Sequence, residues 1–393
     1  MSKIYIASAC RTPIGNFQGM FSSTSAVKLG VSAVREALNR AGLEGRESEI
    51  EEVNLGCIYQ AGQGQGVARQ IAIHAGIPNT TPAVTSNILC GSGLFSVVQA
   101  VRAIRSGDVK AVVAGGAENM TMSPYLLPKG REGYRMGHAE IYDHMIYDGL
   151  TDAFNNYHMG MTAENLAEKY NISRLAQDEF AVASQNKAEK AQAEGRFEDE
   201  IVAVTVKKRR EEVICATDEY IRKGATLEGM QKLRPAFKKD GSVTAGNASG
   251  INDGAAALVI VSEQQLKTLD VEPMAEIVGW GVSGCDPTIM GIGPVQAVKN
   301  ALKVSGSSID DLQLIEANEA FAAQSIAVNK ELGWDTNKVN VNGGAIALGH
   351  PVGASGARIL VTLLHEMKRS NLKEGLATLC VGGGMGVALQ VRR

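Results

Sequence analysis

The sequence predicts an α/β fold made of two similar halves. Three observations carry that expectation. Short apolar segments alternate with segments of helical apolar spacing, the pattern of a mostly parallel sheet covered by helices. The same order of segments returns in the last third of the chain. Glycine supplies 44 of 393 residues, against a usual level of roughly 7%. It has no Gly-X-Y period, so the backbone must turn tightly or approach a neighbour closely at many points.

In chain order, Lys3 to Ala9 reads as a buried strand, and Ala26 to Ala41 as a helix that Gly42 caps. Val53 to Cys57 is a short strand, and Val67 to Ala75 a helix stopped by Gly76 and Pro78. Ala83 to Asn87 is the next strand, and Leu94 to Arg105 a helix closed by Gly107. Ala111 to Ala114 is a fully apolar strand ending in Gly115-Gly116. Residues 119–249 then break the pattern. They hold most of the Met and Tyr residues and a long helix from Ser173 to Gly195. They also hold a basic stretch, 207–239, with ten Lys/Arg against five acids.

The first pattern then resumes. Ala33-Val34-Arg35-Glu36-Ala37-Leu38 with Gly42 is echoed by Ala297-Val298-Lys299-Asn300-Ala301-Leu302 with Gly306. Ala68-Arg69-Gln70-Ile71-Ala72 resembles Ala322-Ala323-Gln324-Ser325-Ile326-Ala327. Val339 to Asn342 stands where Val84 to Asn87 stood, and Leu376 to Gly383 matches Val109 to Gly116 as the last strand. Each pair alone is weak, but their shared order argues for duplication. The expected organisation is a first half of 1–118 with 250–270, an insertion of 119–249, and a second half of 271–393.

Composition excludes several classes. Net charge is −3, from 39 Lys+Arg against 42 Asp+Glu, so there is no global field for nucleic acid. The six cysteines come no closer than the 33 positions from Cys57 to Cys90, which leaves no CxxC pair for zinc or thiol redox work. No run approaches the ~18 apolar residues of a membrane span, and no signal-peptide core precedes Arg11-Thr12-Pro13. The expected setting is cytoplasmic, with reduced thiols and no membrane partner.

In a parallel α/β sheet, ligands bind beyond the carboxyl ends of the strands, where the loop enters the next helix. Applied to the repeat, that rule selects Asn87-Ile88-Leu89-Cys90-Gly91-Ser92-Gly93 in one half. In the other it selects the loop from Gly343 to Gly353, which contains His350. If the halves pack about a pseudo-two-fold axis, the loops converge and Cys90 meets His350. A thiolate at a helix N-terminus is stabilised by the dipole and free amides, and an imidazolium beside it lowers its pKa further. Cys380 and Asn318 also stand where strands end. Two thiols, an imidazole and an amide outline a cysteine-based acyl-transfer site. Taken singly, Cys90 and His350 fit a packing role as well as a chemical one. Cys10, Cys57, Cys215 and Cys285 read as core residues, and His74 and His365 as structural or solvent-facing.

Competing motifs fail. Gly62-Gln63-Gly64-Gln65-Gly66 has Val67 and Arg69 where a dinucleotide loop needs its third glycine. Ser92 follows Cys90 by two positions, where a nucleophile elbow needs Gly. There is no Gly-Lys dipeptide for a P-loop, and His365-Glu366 lacks the second His of a zinc protease.

Several segments together resemble the thiolase family, most closely its biosynthetic, acetyl-transferring type. They are Arg11-Thr12-Pro13-Ile14-Gly15, Cys90-Gly91-Ser92-Gly93, Gly115-Gly116-Ala117-Glu118-Asn119-Met120 and Thr244-Ala245-Gly246-Asn247-Ala248-Ser249-Gly250. Asn318-Glu319-Ala320-Phe321, Gly349-His350-Pro351-Val352-Gly353 and Cys380-Val381-Gly382-Gly383-Gly384 complete the set. The resemblance spans nearly the whole chain. It implies a layered αβαβα core of two duplicated halves about a pseudo-two-fold axis, with an inserted loop domain.

It also implies a reaction: reversible condensation of two acetyl-CoA into acetoacetyl-CoA and CoA, by a ping-pong path through an acetyl-Cys90 thioester. His350 would activate Cys90 and then help bind the second thioester oxygen. Cys380 would be the base for the α-proton. Asn318 would hold a water that joins His350 in one oxyanion hole, and backbone N–H groups of Cys90 and Gly382 would form the other. Arg222, Ser249, Leu150, His158, Met159, Phe237 and Ala245 would contact CoA or the acyl group. Met290 and Phe321 would line the acyl end. No cofactor or metal is implied, CoA being part of the substrate. The family expectation for assembly is a homotetramer, a dimer of dimers, through a loop near Ser123 to His144. The nearest alternative is a degradative 3-ketoacyl-CoA thiolase of broad chain length. Ile88-Leu89 stand before Cys90 where many members have Lys-Val, so no adjacent cysteine is present for a redox switch.

Overall fold

The computed structural model describes residues 3–208 and 211–393; Arg209 and Arg210 of the basic stretch lie outside the described residues. The main sheet is built from β1 (Ile4–Arg11), β2 (Glu52–Gly56), β3 (Ala83–Ser86), β4 (Ala111–Asn119) and β5 (Asn252–Ser262) in the first half. The second half adds β6 (Ala275–Gly284), β7 (Leu314–Ala317), β8 (Glu374–Val381) and β9 (Met385–Arg392). The helices that matter for the site are α1 (Ala26–Arg40), α2 (Val67–Ala75), α3 (Ser92–Ser106), α4 (Met159–Lys169) and α5 (Arg174–Ala193). They are followed by α6 (Gly293–Ser305), α7 (Ala322–Leu332) and α8 (Val352–Arg369).

The strand order is β7-β8-β9-β6-β1-β5-β4-β2-β3. Outward from the middle, one side runs β1-β5-β4-β2-β3 and the other β6-β9-β8-β7, the same chain path with the outermost strand absent from the second. Among the described residues the two sides pair within the sheet at Tyr5 with Glu276 and Ile6 with Ala275. The repeated order of sequence segments therefore reflects a repeated topology.

The expectation of a mostly parallel sheet needs correction. Only β2/β3, β2/β4 and β7/β8 are parallel. The inner pairs β4/β5, β5/β1, β1/β6, β6/β9 and β9/β8 are antiparallel. For β9/β8 the cause is visible at Gly382–Gly384. Gly383 and Gly384 take φ of 77° and 85°, a left-handed turn that side chains resist, and the chain doubles straight back from β8 into β9. Leu376 to Gly383 is thus not the last strand. The expected strand Val339 to Asn342 shrinks to one bridge between Val339 and Ile315. There Asn340, at φ 46°, replaces the ladder with its side chain: Oδ1 accepts the Ala317 N–H at 2.9 Å and Nδ2 donates to the Ala317 carbonyl at 2.7 Å. β4 also runs on through Gly115-Gly116 to Asn119, paired throughout with β5.

Burial sorts the helices into layers. On one outer face Val34, Leu38 and Ile71 of α1 and α2 pack on Val53, Val113 and Val259. On the other, Val298, Leu302 and Val328 of α6 and α7 pack on Ile315, Leu376 and Ala388. α3 and α8 fill the middle, with Val97, Val101, Leu360 and Leu364 between Val112 and Ile260 on one side and Leu379 and Leu389 on the other. A helix on the surface shows a single apolar stripe, whereas α8 buries 15 of its 18 residues. The result is the five-layer αβαβα arrangement.

α3 and α8 meet backbone to backbone. A Cβ on Gly93 would stand 2.8 Å from the Ala357 nitrogen, and one on Gly356 would collide with Leu94. Only residues without side chains permit that approach. Because α3 follows Cys90 and α8 follows His350, the crossing brings both loops to the same end of the core.

Candidate active site

Cys90 stands between β3 and α3, in a loop fixed by its own polar atoms. Asn87 Oδ1 accepts the Leu89 N–H at 3.0 Å, while Ser92 Oγ accepts the Ile88 N–H at 3.0 Å and donates to the Leu89 carbonyl at 2.6 Å. Leu89 is held at φ 53°, a conformation that costs a branched side chain free energy and recurs where a site over-determines the backbone. Burial pushes the Cys90 thiol up to about 11, partly offset by N–H groups of Gly382 and of Cys90 itself that donate to its sulfur.

His350 sits at the head of α8. Its Nδ1 lies 2.6 Å from Ser355 Oγ, and that hydroxyl donates to the Pro351 carbonyl at 2.9 Å. With the hydroxyl proton so committed, the tautomer is assigned with Nδ1 protonated and Nε2 as the acceptor. The backbone is anchored as well: the His350 N–H donates to Asn252 Oδ1 at 2.9 Å, and Asn252 Nδ2 donates to the Gly15 carbonyl at 3.0 Å. Burial, with Arg358 nearby, depresses the imidazole to about 3. The expected imidazolium beside a helix-stabilised thiolate is therefore not the resting state. The pair rests neutral, and α3 itself begins only at Ser92. Desolvation outweighs the dipole here.

Asn318 follows β7 and is buried; its Nδ2 faces His350 Nε2 at 3.5 Å. Cys380, the residue before the end of β8, is buried too, and its thiol is raised well above the ordinary range by burial and by the nearby Cys90 sulfur. Neither lines the open cavity. Cys90, His350 and Gly382 do line it, a space of about 710 Å³.

The remaining residues named from the sequence share that cavity. Leu150, His158, Met159, Arg222, Phe237, Ala245, Ser249, Met290 and Phe321 all line it. His158 has a second job as N-cap of α4, where its Nδ1 accepts the Gly160 N–H at 3.0 Å. It stacks on Phe237 at 4.6 Å, and Phe237 meets Phe321 edge-on at 6.3 Å. Burial lowers the His158 pKa, in keeping with its acceptor role. Arg222 brings a cation to the wall, over the Tyr220 ring at 5.6 Å.

Residues 4–264 match the family model for the thiolase N-terminal domain, and residues 271–393 that for the thiolase C-terminal domain. The chain belongs to the thiolase family. It is 55% identical to the acetyl-CoA acetyltransferases of Chromobacterium violaceum and Cupriavidus necator, over 100% of this chain and of each relative. The crystal structure of the Bacillus anthracis acetyl-CoA acetyltransferase superposes with a TM-score of 0.97 at 47% identity, covering 100% of this chain and 99% of that one. The fold is therefore the thiolase fold.

Sequence reasoning missed the supports of this thiolase site. Ser355 lies five positions after His350, on the first turns of α8, where a hydroxyl is a reasonable partner for a histidine at the helix head. Glu118 is another. Fully buried at the end of β4, it accepts N–H bonds from Ile58 at 2.9 Å, Tyr59 at 3.1 Å and Gly353 at 2.9 Å, joining the first half to the start of α8. Burial raises its carboxyl to about 7. No local signal marks a residue whose partners lie 59 and 235 positions away.

Proposed function

We propose that this thiolase is an acetyl-CoA C-acetyltransferase that joins two acetyl-CoA into acetoacetyl-CoA and CoA, reversibly and by a ping-pong path. The observation that supports it best is the convergence of Cys90, His350 and the Gly382 N–H on one cavity. In the first half-reaction the Cys90 thiol gives its proton to His350 Nε2, and the sulfur attacks the acetyl carbonyl. The collapsing adduct expels CoA thiolate, which takes its proton from Cys380 and leaves that cysteine as thiolate. The developing oxyanion is held by the Cys90 and Gly382 N–H groups.

In the second half-reaction Cys380 removes an α-proton from a new acetyl-CoA. The resulting enolate oxygen is stabilised by His350, protonated from the first step, and by a water that Asn318 positions. The enolate carbon attacks acetyl-Cys90, a C–C bond forms, the Cys90–acetyl bond breaks, and His350 returns its proton to the departing Cys90 thiolate. A neutral, dry site suits this chemistry. A thioester α-proton is too weakly acidic for an unaided thiolate, and each oxyanion donor is worth on the order of 10²–10³ in rate where water is excluded. Proton transfers among thiols and an imidazole require no metal or cofactor.

Residues 119–249 are read as the inserted part that binds CoA, with Arg222 and its neighbours facing the CoA phosphates. The homotetramer reading draws support from exposed apolar side chains in the 122–141 segment: Met122 at 48%, Tyr125 at 68%, Leu127 at 56%, Met136 at 99% and Ile141 at 60%. Among the described residues no helix is long and apolar enough to cross a membrane, which is compatible with a cytoplasmic setting. The full-length likeness to acetyl-CoA acetyltransferases favours this reading over a broad degradative thiolase. Thiolysis of acetoacetyl-CoA measured beside that of a long-chain 3-ketoacyl-CoA tests it. Strong preference for the former is expected, and equal efficiency would overturn the short-chain assignment.

A further inference from the structure

Asn318 can hold the enolate-stabilising water through its N–H, beside the His350 nitrogen, when the amide turns that side toward the reacting centre. An asparagine amide has two orientations of nearly equal shape, so something must choose between them. Behind Asn318 lies Arg358, on α8 and 2% exposed. Its Nη2 donates to Asn318 Oδ1 at 3.5 Å, while Asn318 Nδ2 faces the bare Nε2 of His350, also at 3.5 Å. Flipping the amide would set NH₂ against the guanidinium and oxygen against the imidazole lone pair. In the resting enzyme both contacts would become repulsive; once His350 is protonated, the contact with Arg358 alone continues to hold the amide.

We propose that Arg358 is a positioning residue that locks the Asn318 amide with its N–H side toward His350 and the water that serves the enolate oxygen. This rests on the role given to Asn318 above. A structural ion pair is a poor alternative account of the arginine. Its nearest acid, Glu316, is 3.6 Å away, and neither Glu316 oxygen has a hydrogen-bond partner among the described residues. Arg358 Nε and Nη1 also have none. A buried cation so loosely paired contributes little net stability, whereas the contact it does complete lies one residue from the histidine.

The test uses two half-reactions of the full-length enzyme. Acetylation of Cys90 by acetyl-CoA, followed by mass, reads the first; steady-state condensation reads the second, where the enolate forms. Arg358→Met should slow condensation by about tenfold or more, the scale of a mispositioned group, with KM for acetyl-CoA within about twofold and Cys90 acetylation near the wild-type rate. Arg358→Lys, which keeps the charge but not the planar fork, should recover part of the loss. If Arg358→Met does not fold, a cycle with the lysine variant decides: in an Asn318→Ala background, Arg358→Lys should cost nothing more. Condensation at wild-type rate in both variants, an equal slowing of both half-reactions, or an undiminished cost in the Asn318→Ala background would each overturn the proposal. Absence of any acetyl-Cys90 in the wild-type enzyme would instead bring down the reading of the site on which it stands.

Discussion

Ser355 Oγ lies 2.6 Å from His350 Nδ1 and spends its own proton on the Pro351 carbonyl 2.9 Å away, so a single hydroxyl settles which imidazole nitrogen is free for chemistry. Ser355→Ala removes that acceptor and leaves a buried N–H unpaired, at a cost of about 1–3 kcal/mol. The other tautomer, with Nε2 protonated, then competes. Cys90 acetylation should fall by about tenfold or more, measured by quenched-flow mass analysis. An unchanged rate would show that the tautomer is held by something else.

The two thiols separate by step. After brief exposure to acetyl-CoA, the wild-type enzyme and Cys380→Ala should both carry an acetyl group, and Cys90→Ala should carry none. Condensation by Cys380→Ala should drop by about 10²–10⁴, the usual worth of a general base. Loss of both adduct and condensation in Cys380→Ala would reassign that residue.

His350 also predicts how stability depends on pH. Its pKa is lowered from 6.5 to about 3 by burial, so the folded state keeps it neutral while the unfolded chain binds a proton below 6.5. Its contribution is therefore complete above pH 6.5 and is lost progressively as the pH falls toward 3. Melting temperatures from pH 7.5 to 4 should fall less steeply in His350→Asn than in wild type. Parallel curves for the two proteins would contradict the neutral, desolvated imidazole.

Met159 borders both the cavity and Gly382, where a Cβ would lie 3.6 Å from its sulfur. Met159→Ala should open space beside the acyl group on Cys90. The ratio of kcat/KM for 3-ketohexanoyl-CoA to that for acetoacetyl-CoA should rise about tenfold or more, since each methylene in an apolar pocket is worth about 1–3 kcal/mol. A ratio that does not move would place the chain-length limit at Met290 and Phe321 instead.

Much of the fold was legible because local rules were obeyed. α2 matches its expected span, and Gly76, Gly107 and Gly306 cap their helices in left-handed conformations. The repeat predicts that the loops of Cys90 and His350 converge, and both residues line one cavity. What stayed hidden depends on partners distant in the chain. The antiparallel centre of the sheet follows from pairings such as Ala257 with Gly115, which no window of sequence contains. The missing strand at Val339 follows from one asparagine side chain that imitates a ladder. The charge state of the site departs from the sequence expectation for a related reason. A helix start and a neighbouring histidine can be read in sequence, but the dryness that overrides them exists only once both halves have closed.

The bare approach of Gly93 to Ala357 and of Gly356 to Leu94 makes the interval between Cys90 and His350 a mechanical constant. It is set by main chain against main chain, with no rotamer to adjust and no side chain to wear down. Cavity walls can then be recut for other acyl groups without disturbing the spacing of the reacting atoms. The same rigidity is a vulnerability. One methyl group at either glycine would act as a shim, prising the two loops apart while every catalytic group remained present.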